Sequence, residues 1–408
     1  MPPTFYKTSR LVCLTGLLAL LLAACLPGTP QPLLTLPPTI PAPILTQPAP
    51  SITPPGISPT LAPGATTPPT NSPPTAVPTV TLPPPAPSPT LAPSPTPTSI
   101  PVPNLPAMLD DRSTPTGLIL SYFNAINRKE YLRAYGYYTT PSQTAGVFSA
   151  FAAGYQNTAA VTVSLGIPGN DNGAGQIYYT VPALLTAVST SGVTTHFAAC
   201  YILHLSQPGV QGKPPFAPLS INIGKAIPLA NNADPAAALT AACSGPDFPQ
   251  GRPMNPVPQT NTQDISQNNY LDERSEALNV VKSLLNAINR KEYVRAYSYW
   301  QNPTTAPGPF AAYQQGFANT ASVEATFGMV ISDAGAGQLY YRVPVAEKVK
   351  TTAGAIQTFV GCYTLHLSQP AIQAEPPYIP LGITQGKLNL VDNNANIQPL
   401  LATACAQP

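Results

Sequence analysis

Charged residues are scarce in this sequence of 408 residues. Lysine and arginine number 18 and aspartate and glutamate 16, so charged side chains make up 8%, against about 25% in ordinary soluble domains. The net charge is +2. Nucleic-acid binding needs clustered cations to neutralise phosphates, so we expect no nucleic-acid partner. The low charge also argues against a cytosolic enzyme with a heavily solvated surface.

Motifs of catalysis and cofactor binding are missing as well. The chain has three histidines, and it contains no Gly-rich phosphate loop, no nucleophile elbow and no His/Cys cluster with metal-ligand spacing. We therefore expect no cofactor and no metal site, and the sequence favours a protein that is not an enzyme.

The N-terminus has the order of an export signal. Lys7 and Arg10 precede an apolar run that ends at Leu22 and is shorter than the roughly 20 residues of a membrane-spanning helix. Leu22-Ala-Ala-Cys25 comes next and resembles the lipobox of bacterial lipoprotein precursors, in which the cysteine receives a diacylglycerol. The resemblance implies a signal peptide over 1–24, lipidation of Cys25 and an extracytoplasmic protein anchored to a bacterial membrane by its acyl chains. A plain signal peptide with an incidental cysteine is the alternative.

Proline is abundant, with 56 residues in the chain. It dominates the segment after Cys25, together with threonine, serine and alanine. Because proline fixes φ and lacks an amide donor, this segment favours polyproline II rather than helix or sheet. We predict a disordered stalk over 25–106 that spaces the remainder from the membrane. The stalk is either O-glycosylated or an unmodified tether.

Four cysteines remain once Cys13 leaves with the signal peptide and Cys25 carries lipid. They are Cys200, Cys243, Cys362 and Cys405. The first two are 43 residues apart, and so are the last two. One disulfide within each pair is the simplest connectivity, and export permits it. A zinc site is the rival interpretation, although the C-x-x-C spacing typical of zinc ligands is missing.

The chain beyond the stalk is a duplication. Asn124–Tyr131 recurs letter for letter as Asn286–Tyr293, and other matches keep the same offset. We predict repeat domains over 107–247 and 270–408, joined by a polar linker over 248–269. About 140 residues is enough for one hydrophobic core in each repeat.

Each repeat shows helical periodicity first and strand periodicity afterwards. Apolar residues at i, i+3, i+4 and i+7 predict a helix from Thr114-Pro115 to Ile126, and two shorter stripes, Tyr131–Tyr138 and Phe148–Tyr155, lie beyond it. Turn residues occupy 168–173. Alternation of apolar residues predicts strands over 161–165, 176–184, 194–205 and 219–223. Helices followed by an antiparallel sheet indicate an α+β fold.

The first two predicted helices and the segment before the first strand carry a family resemblance. Residues 122–135 read Tyr-Phe-Asn-Ala-Ile-Asn-Arg-Lys-Glu-Tyr-Leu-Arg-Ala-Tyr, and Gly154-Tyr-Gln-Asn-Thr158 precedes the first strand. This order resembles nuclear transport factor 2-like domains, which include polyketide-cyclase-like proteins. The resemblance implies two tandem cone-shaped domains, each a short helical hairpin packed in a curved antiparallel sheet with a pocket at its open end. The Asp base or Asp/His pair of that family's enzymes does not map onto this sequence.

Few ionisable residues occur in both repeats. Arg128, Lys129, Glu130 and Arg133 have counterparts in the second repeat, and we interpret them as a solvated turn with a helix-start carboxylate. His204 and His366 are the candidate catalytic bases, since a neutral imidazole can accept a proton near pH 7. A hydrogen-bonded structural role is the alternative for both histidines.

Pairs of adjacent tyrosines are the candidate ligand contacts. They are Tyr178, Tyr179, Tyr340 and Tyr341. One of each pair should face inward on a strand, and tyrosine offers a flat apolar face with a polar tip suited to sugars and small amphiphiles. Core packing is the alternative explanation.

These features predict a non-catalytic, membrane-anchored module that presents two duplicated domains to a ligand or partner. The candidates are a small amphiphile, a polysaccharide and an envelope protein. An extracytoplasmic isomerase- or cyclase-like enzyme with one pocket histidine in each domain is the first alternative. A structural module that assembles through its sheets, by domain–domain or homodimer pairing, is the second.

Overall fold

The structure, a computed structural model, describes residues 105–230, 232–246, 248, 255–256 and 264–406. The predicted signal peptide, Cys25 and the predicted stalk up to residue 104 lie outside the described residues, as does most of the predicted linker. Both repeats belong to one unit of the chain, Pro95–Pro408. We call the described parts of the two repeats lobe 1 and lobe 2.

Lobe 1 has short helices before its strands and one after them. The helices are α1 (Pro115–Asn127), α2 (Tyr131–Tyr135), α3 (Pro141–Thr144), α4 (Phe148–Gly154) and α5 (Pro235–Ala241). The strands are β1 (Thr158–Leu165), β2 (Gly169–Gly173), β3 (Gln176–Ser189), β4 (Thr194–Ser206) and β5 (Ser220–Pro228). A two-residue strand from the linker, β6 (Asn255–Pro256), pairs with β2.

Lobe 2 repeats this order without a counterpart of α3. Its helices are α6 (Ala277–Asn289), α7 (Tyr293–Tyr297), α8 (Phe310–Gly316) and α9 (Ile397–Thr403). Its strands are β7 (Thr320–Phe327), β8 (Ile331–Gly335), β9 (Gln338–Thr351), β10 (Ile356–Ser368) and β11 (Gly382–Val391). The α+β class with one antiparallel sheet in each lobe is thereby confirmed.

The longest strand organises each sheet. β3 pairs with β4 along one edge and shares its other edge between β1 and β2, while β5 extends the sheet beyond β4. In lobe 2, β9 takes the place of β3, with β10 and β11 on one side and β7 and β8 on the other.

Helix α1 forms where the sequence predicts it. The Thr114 hydroxyl accepts a hydrogen bond from the amide of Gly117 at 2.9 Å, and Pro115 occupies the first helical turn, where its missing amide costs nothing. Its apolar stripe, which includes Ile119 and Ile126, is fully buried in the lobe 1 core. Alternate residues of β4, such as Tyr201 and Leu203, complete that core from the sheet.

Two local predictions were wrong. Residues 168–173, predicted as a turn, are mostly strand β2, and the reversal lies just beyond it at Ala174 and Gly175, whose φ values are 48° and 77°. Two central residues with positive φ make the tight hairpin turn whose twist matches the strands. The second helical stripe also ends early, because Tyr138 leaves the helix and bridges Ile221.

The predicted disulfides are confirmed. Cys200 bonds Cys243 and Cys362 bonds Cys405, with Cα atoms 5.0 and 5.2 Å apart. Each bond ties a central strand to the segment after the last helix of its lobe, so that this helix lies against the sheet face opposite the main core.

The lobes meet through two short arms, residues 108–113 and 270–275. Asp111 and Glu273 form an antiparallel bridge, and the amides of Arg112 and Arg274 each donate to the opposite arm at 2.7 Å. Met108 packs on the lobe 2 core and Tyr270 on the lobe 1 core. The two repeats therefore exchange contacts reciprocally, as subunits of a symmetric dimer do.

None of the helices that the structure describes combines the length and apolar character needed to cross a membrane.

Candidate functional site

The two sides of each sheet have different surroundings. Residues of β4 such as Tyr201 and Leu203 face the helices and the core, while Cys200 and His204 occupy the alternate positions. We call this second side the outer face. It is covered near the disulfide by the last helix of the lobe, and it is where most polar candidates lie.

Both predicted histidines lie on the outer face. The Nε2–H of His204 donates to the side-chain oxygen of Gln176 at 2.7 Å, and His366 makes the same bond to Gln338. Burial lowers the pKa of each histidine, so each is neutral near pH 7. A ring nitrogen that already donates to an amide oxygen is held in one tautomer and orientation.

The adjacent tyrosines point to opposite sides, as alternation requires. Tyr179 and Tyr341 pack against the cores of their lobes. Tyr178 and Tyr340 are exposed, at 38% and 47%, and each lies over a histidine ring with centroids 4.7 and 4.8 Å apart. Each lobe therefore presents a tyrosine ring to solvent that is backed by a fixed imidazole.

Lobe 2 carries a groove of about 650 Å³ on its outer face. Strands β8 to β11 form its floor, and α9 forms one wall with Leu400 and Thr403. The polar side chains that line it include Asp333, Tyr340, Arg342, Thr364, Gln385 and Lys387. We call this the lobe 2 groove.

Strand register explains why these polar groups lie together. Arg342, Thr364 and Gln385 occupy paired positions on β9, β10 and β11, so they form one row across the sheet. Asp333 is paired with Tyr340 at the edge of the groove. Paired side chains of antiparallel strands lie about 5 Å apart, close enough to contact a single ligand.

Arg342 is held in place by the disulfide region. One of its terminal nitrogens donates to the carbonyl of Cys405 at 2.8 Å, and Cys405 is bonded to Cys362 on the floor of the groove. A guanidinium has five N–H donors, so this bond leaves others for a ligand. Lys387 is the cross-strand partner of Cys362 and adds a second cation.

The same positions of lobe 1 carry different chemistry. Arg342 is matched by Thr180, Thr364 by Ile202 and Gln385 by Ile223. The Thr180 hydroxyl is buried and has no hydrogen-bond partner among the described residues. The tyrosine–histidine pair, Asp333 and Lys387 have identical counterparts in lobe 1, so Arg342, Thr364 and Gln385 are the groups that distinguish the second lobe.

The interiors also differ. In lobe 1, three tyrosine hydroxyls meet: Tyr122 lies 2.6 Å from Tyr155 and accepts from Tyr138 at 3.5 Å. Burial raises the pKa of all three, that of Tyr138 to about 12. These groups therefore stay neutral, and the cluster behaves as packed core with internal hydrogen bonds.

Lobe 2 buries a carboxyl group where lobe 1 has Leu185. Glu347 lies on the core side of β9, and the Tyr363 hydroxyl donates to it at 3.0 Å. Burial raises the pKa of Glu347 to about 7. The indole nitrogen of Trp300 and the hydroxyl of Tyr313 are also buried in lobe 2.

The charged turn was interpreted wrongly as solvated. Arg133 is fully buried and Glu130 is 4% exposed, and they bond through two contacts of 2.6 and 2.7 Å. Nη1 of Arg133 donates to the Tyr137 hydroxyl and the Leu109 carbonyl, and Nη2, which also contacts Glu130, donates to Asn124. Burial opposes the charge of Arg133, but Tyr137 and Glu130 outweigh it and hold the pKa above its ordinary value.

Sequence reasoning missed this network and the arms that join it. Asp110 is 1% exposed, and its carboxylate accepts a hydrogen bond from the Tyr137 hydroxyl at 2.9 Å. The arrangement recurs in lobe 2 with Arg295, Glu292, Tyr299 and Asp272. A signal was present, because Leu109-Asp-Asp-Arg-Ser113 recurs as Leu271-Asp-Glu-Arg-Ser275 in a chain with so few charges. Charges kept at equivalent positions of both copies point to paired burial.

The described residues contain no group of three or more His, Cys, Asp or Glu side chains arranged to hold a metal ion. The chain matches no protein family, no curated protein and no solved structure.

Proposed function

We propose that this protein is an exported, membrane-tethered binding protein whose second lobe takes a saccharide-type ligand in its outer-face groove. The observation that carries the proposal is the lobe 2 groove itself. It combines an exposed, oriented tyrosine ring with a row of side chains that donate and accept hydrogen bonds. Ligand sites are concave and combine apolar contact with a few placed polar groups, which is what this groove offers.

The leader sequence supports the location. Lys7, Arg10, the short apolar run and Leu22-Ala-Ala-Cys25 favour export and lipidation, with the Pro-rich segment as a spacer. Disulfides persist in oxidising compartments, so the two bonds within the lobes agree with an extracytoplasmic place. We also propose that each lobe is a cone-shaped domain of the nuclear transport factor 2-like kind.

Binding is favoured over the enzymatic alternative by where the histidines lie. His204 and His366 are on the outer face, away from the lobe interiors, and each is bonded to a glutamine rather than oriented by a carboxylate. The sheet-assembly alternative also has less support, because the contacts that the structure describes between the lobes involve the arms and the loop at Tyr378, which lies beside Gly136.

The binding part of the proposal is tested with the full chain in detergent micelles. Affinity electrophoresis through a panel of soluble polysaccharides should retard the wild-type chain in at least one. Thr364→Ile with Gln385→Ile gives lobe 2 the residues that lobe 1 carries, and it should abolish the retardation. The matched control, Ile202→Thr with Ile223→Gln, should leave it unchanged. Retardation by no polymer, or equal retardation of both variants, would reject the groove as a saccharide site.

The anchor is tested separately. Cys25→Ser should move the protein from the membrane fraction to the soluble exported fraction, and mass spectrometry should show that the wild-type chain starts at a diacylated Cys25. Cys13→Ser is the matched control and should leave the protein in the membrane. An unlipidated wild-type chain would reject this part of the proposal.

A further inference from the structure

We infer that the ligand of the lobe 2 groove is an acidic saccharide, a sugar chain that carries carboxylates. This inference rests on the proposed function and adds the ligand's charge. The reason lies in where the groove places its two cations relative to its neutral donors and its tyrosine ring.

Arg342 is built to receive an anion. Its attachment to the Cys405 carbonyl fixes one end of the guanidinium, and the remaining N–H groups are on an exposed side chain at the floor of the groove. Hydrogen bonds from arginine to a carboxylate are shorter and stronger than neutral ones. A cation fixed in advance loses little freedom when the ligand binds.

Lys387 extends the cationic surface along β11. It stands two residues beyond Gln385, which shares a row with Arg342. With strands about 4.8 Å apart and residues about 3.4 Å apart, the Cα atoms of the two cations are roughly 12 Å apart. Two cations on separate strands of one groove can each meet an acid group of the same polymer, whereas a single small anion offers only one.

The rest of the groove specifies a sugar rather than any carboxylate. The Tyr340 ring, backed by His366, offers a flat surface on which the apolar side of a pyranose ring can lie. Asp333 and Gln385 supply oxygens that accept hydrogen bonds from sugar hydroxyls. A run of aspartate or glutamate residues has neither a flat apolar ring face nor a dense row of hydroxyl donors.

Lobe 1 provides an internal comparison. It keeps the exposed tyrosine over a histidine, and it keeps a lysine, Lys225, at the position of Lys387. It has Thr180 in place of Arg342 and isoleucines in place of Thr364 and Gln385, so it lacks the fixed cation and the side-chain amide of the row. The inference therefore assigns acid binding to lobe 2 alone.

Binding of a short oligogalacturonate to the full chain, measured by titration calorimetry in detergent micelles, tests this. Its methyl ester keeps the sugar ring and removes the charge, and it should bind about tenfold more weakly or worse, because charge-assisted hydrogen bonds are lost. Polyglutamate, which carries carboxylates without sugar rings, should also bind at least about tenfold more weakly, because stacking and hydroxyl contacts are lost.

Variants locate the site. Arg342→Gln should weaken oligogalacturonate binding about tenfold, and Lys387→Gln gives a second reading should the first variant disturb α9. Tyr340→Ala should weaken binding roughly threefold to tenfold. Lys348→Gln, an exposed cation of the same strand outside the groove, and Tyr178→Ala in lobe 1 are the matched controls and should bind like wild type.

Any of the following four results would overturn the inference. Equal binding of acid and ester, with loss in Tyr340→Ala, would reject the acidic class and leave the saccharide groove standing. Equal binding of polyglutamate would reject the sugar. Oligogalacturonate binding that survives both cation variants would place the acid elsewhere. If none of the three probes binds, the acidic class is rejected, and the polysaccharide panel decides separately whether the proposed function fails too.

Discussion

Glu347 makes the stability of lobe 2 depend on pH in a direction opposite to that of an ordinary surface carboxylate. The group is buried beside Tyr363, and its pKa is raised from the ordinary 4.5 to about 7 by burial. The folded chain therefore binds this proton more tightly than the unfolded chain does. Its stabilising contribution is complete below pH 4.5, falls as the pH rises toward 7, and is lost above it.

The magnitude is set by the difference between the two pKa values. Each pKa unit corresponds to 1.36 kcal/mol, so a rise from 4.5 to about 7 corresponds to about 3 kcal/mol between pH 4.5 and 8. Glu347→Gln removes the titrating proton and keeps an acceptor for the Tyr363 hydroxyl. Relative to that of wild type, the free energy of unfolding of this variant should rise by about 3 kcal/mol as the pH is raised from 4.5 to 8.

Urea unfolding followed by tryptophan fluorescence measures this directly. The chain contains one tryptophan, and Trp300 lies edge-on to Tyr363 with ring centroids 6.4 Å apart, so its emission reports on the surroundings of Glu347. Asp111 and Glu273 in the arms also have pKa values raised by burial, and subtracting the variant from the wild type removes their common effect.

Glu324→Gln is the matched control, because Glu324 is an exposed glutamate of the neighbouring strand β7. Its difference from wild type should stay within about 0.5 kcal/mol at every pH, as expected of a surface substitution. The reasoning is refuted if the Glu347→Gln difference is equally flat between pH 4.5 and 8.

Three further changes test the buried network, the disulfides and the arms, each by urea unfolding of the full chain. Arg133→Ala should lower the free energy of unfolding by about 3–5 kcal/mol, because it leaves Glu130 buried without its partner. Arg128→Ala removes a partly exposed partner of the same carboxylate and should lower it by about 1 kcal/mol. Equal losses would contradict burial as the cause. Cys362→Ser with Cys405→Ser should lower the free energy of unfolding by about 4 kcal/mol, because the opened loop gains entropy in the unfolded chain. Cys200→Ser with Cys243→Ser should cause a comparable loss, since both pairs are 43 residues apart. A loss confined to one lobe would mean that the loop length is not the cause. Ser113→Ala with Ser275→Ala should lower the free energy of unfolding by about 2 kcal/mol, because the amides of Asp272 and Asp110 lose their acceptors. Ser191→Ala at an exposed turn should be nearly neutral. No change in the double variant would show that the arms contribute little.

The local patterns of the sequence predicted the elements well where one interaction dominates. The stripe of α1 and the alternate apolar residues of β4 mark the sides that pack into the lobe 1 core, which periodicity predicts directly, although both elements bury other residues as well. Residues 168–173 were misread because Gly, Asn and Asp favour turns on their own, whereas here pairing with β3 overrides that preference. Tertiary hydrogen bonds of this kind are invisible to a local pattern.

The candidate site was harder to predict for a related reason. Tyr340 and His366 were identified individually, yet Arg342, Gln385 and Lys387 come from separate strands and meet only through register. Glu347 was missed because a carboxylate in an alternating strand is read as facing solvent. Comparison of the two repeats exposes three of these residues, because lobe 1 has Thr180, Ile223 and Leu185 in place of Arg342, Gln385 and Glu347. It does not single out Lys387, whose counterpart Lys225 is also a lysine.

That comparison also separates scaffold from site. The buried arginine, glutamate, aspartate and tyrosine of the arm network are identical in both lobes, because each lobe needs the same contacts to hold its neighbour. The outer-face row and the interior carboxyl differ, although substitution there leaves the backbone pairing of β3 and β9 the same. A duplicated chain can keep one copy for assembly while the other gains polar groups on a surface that assembly does not use. The lobe 2 groove lies on such a surface, and its differences from lobe 1 are therefore better explained by a ligand than by folding.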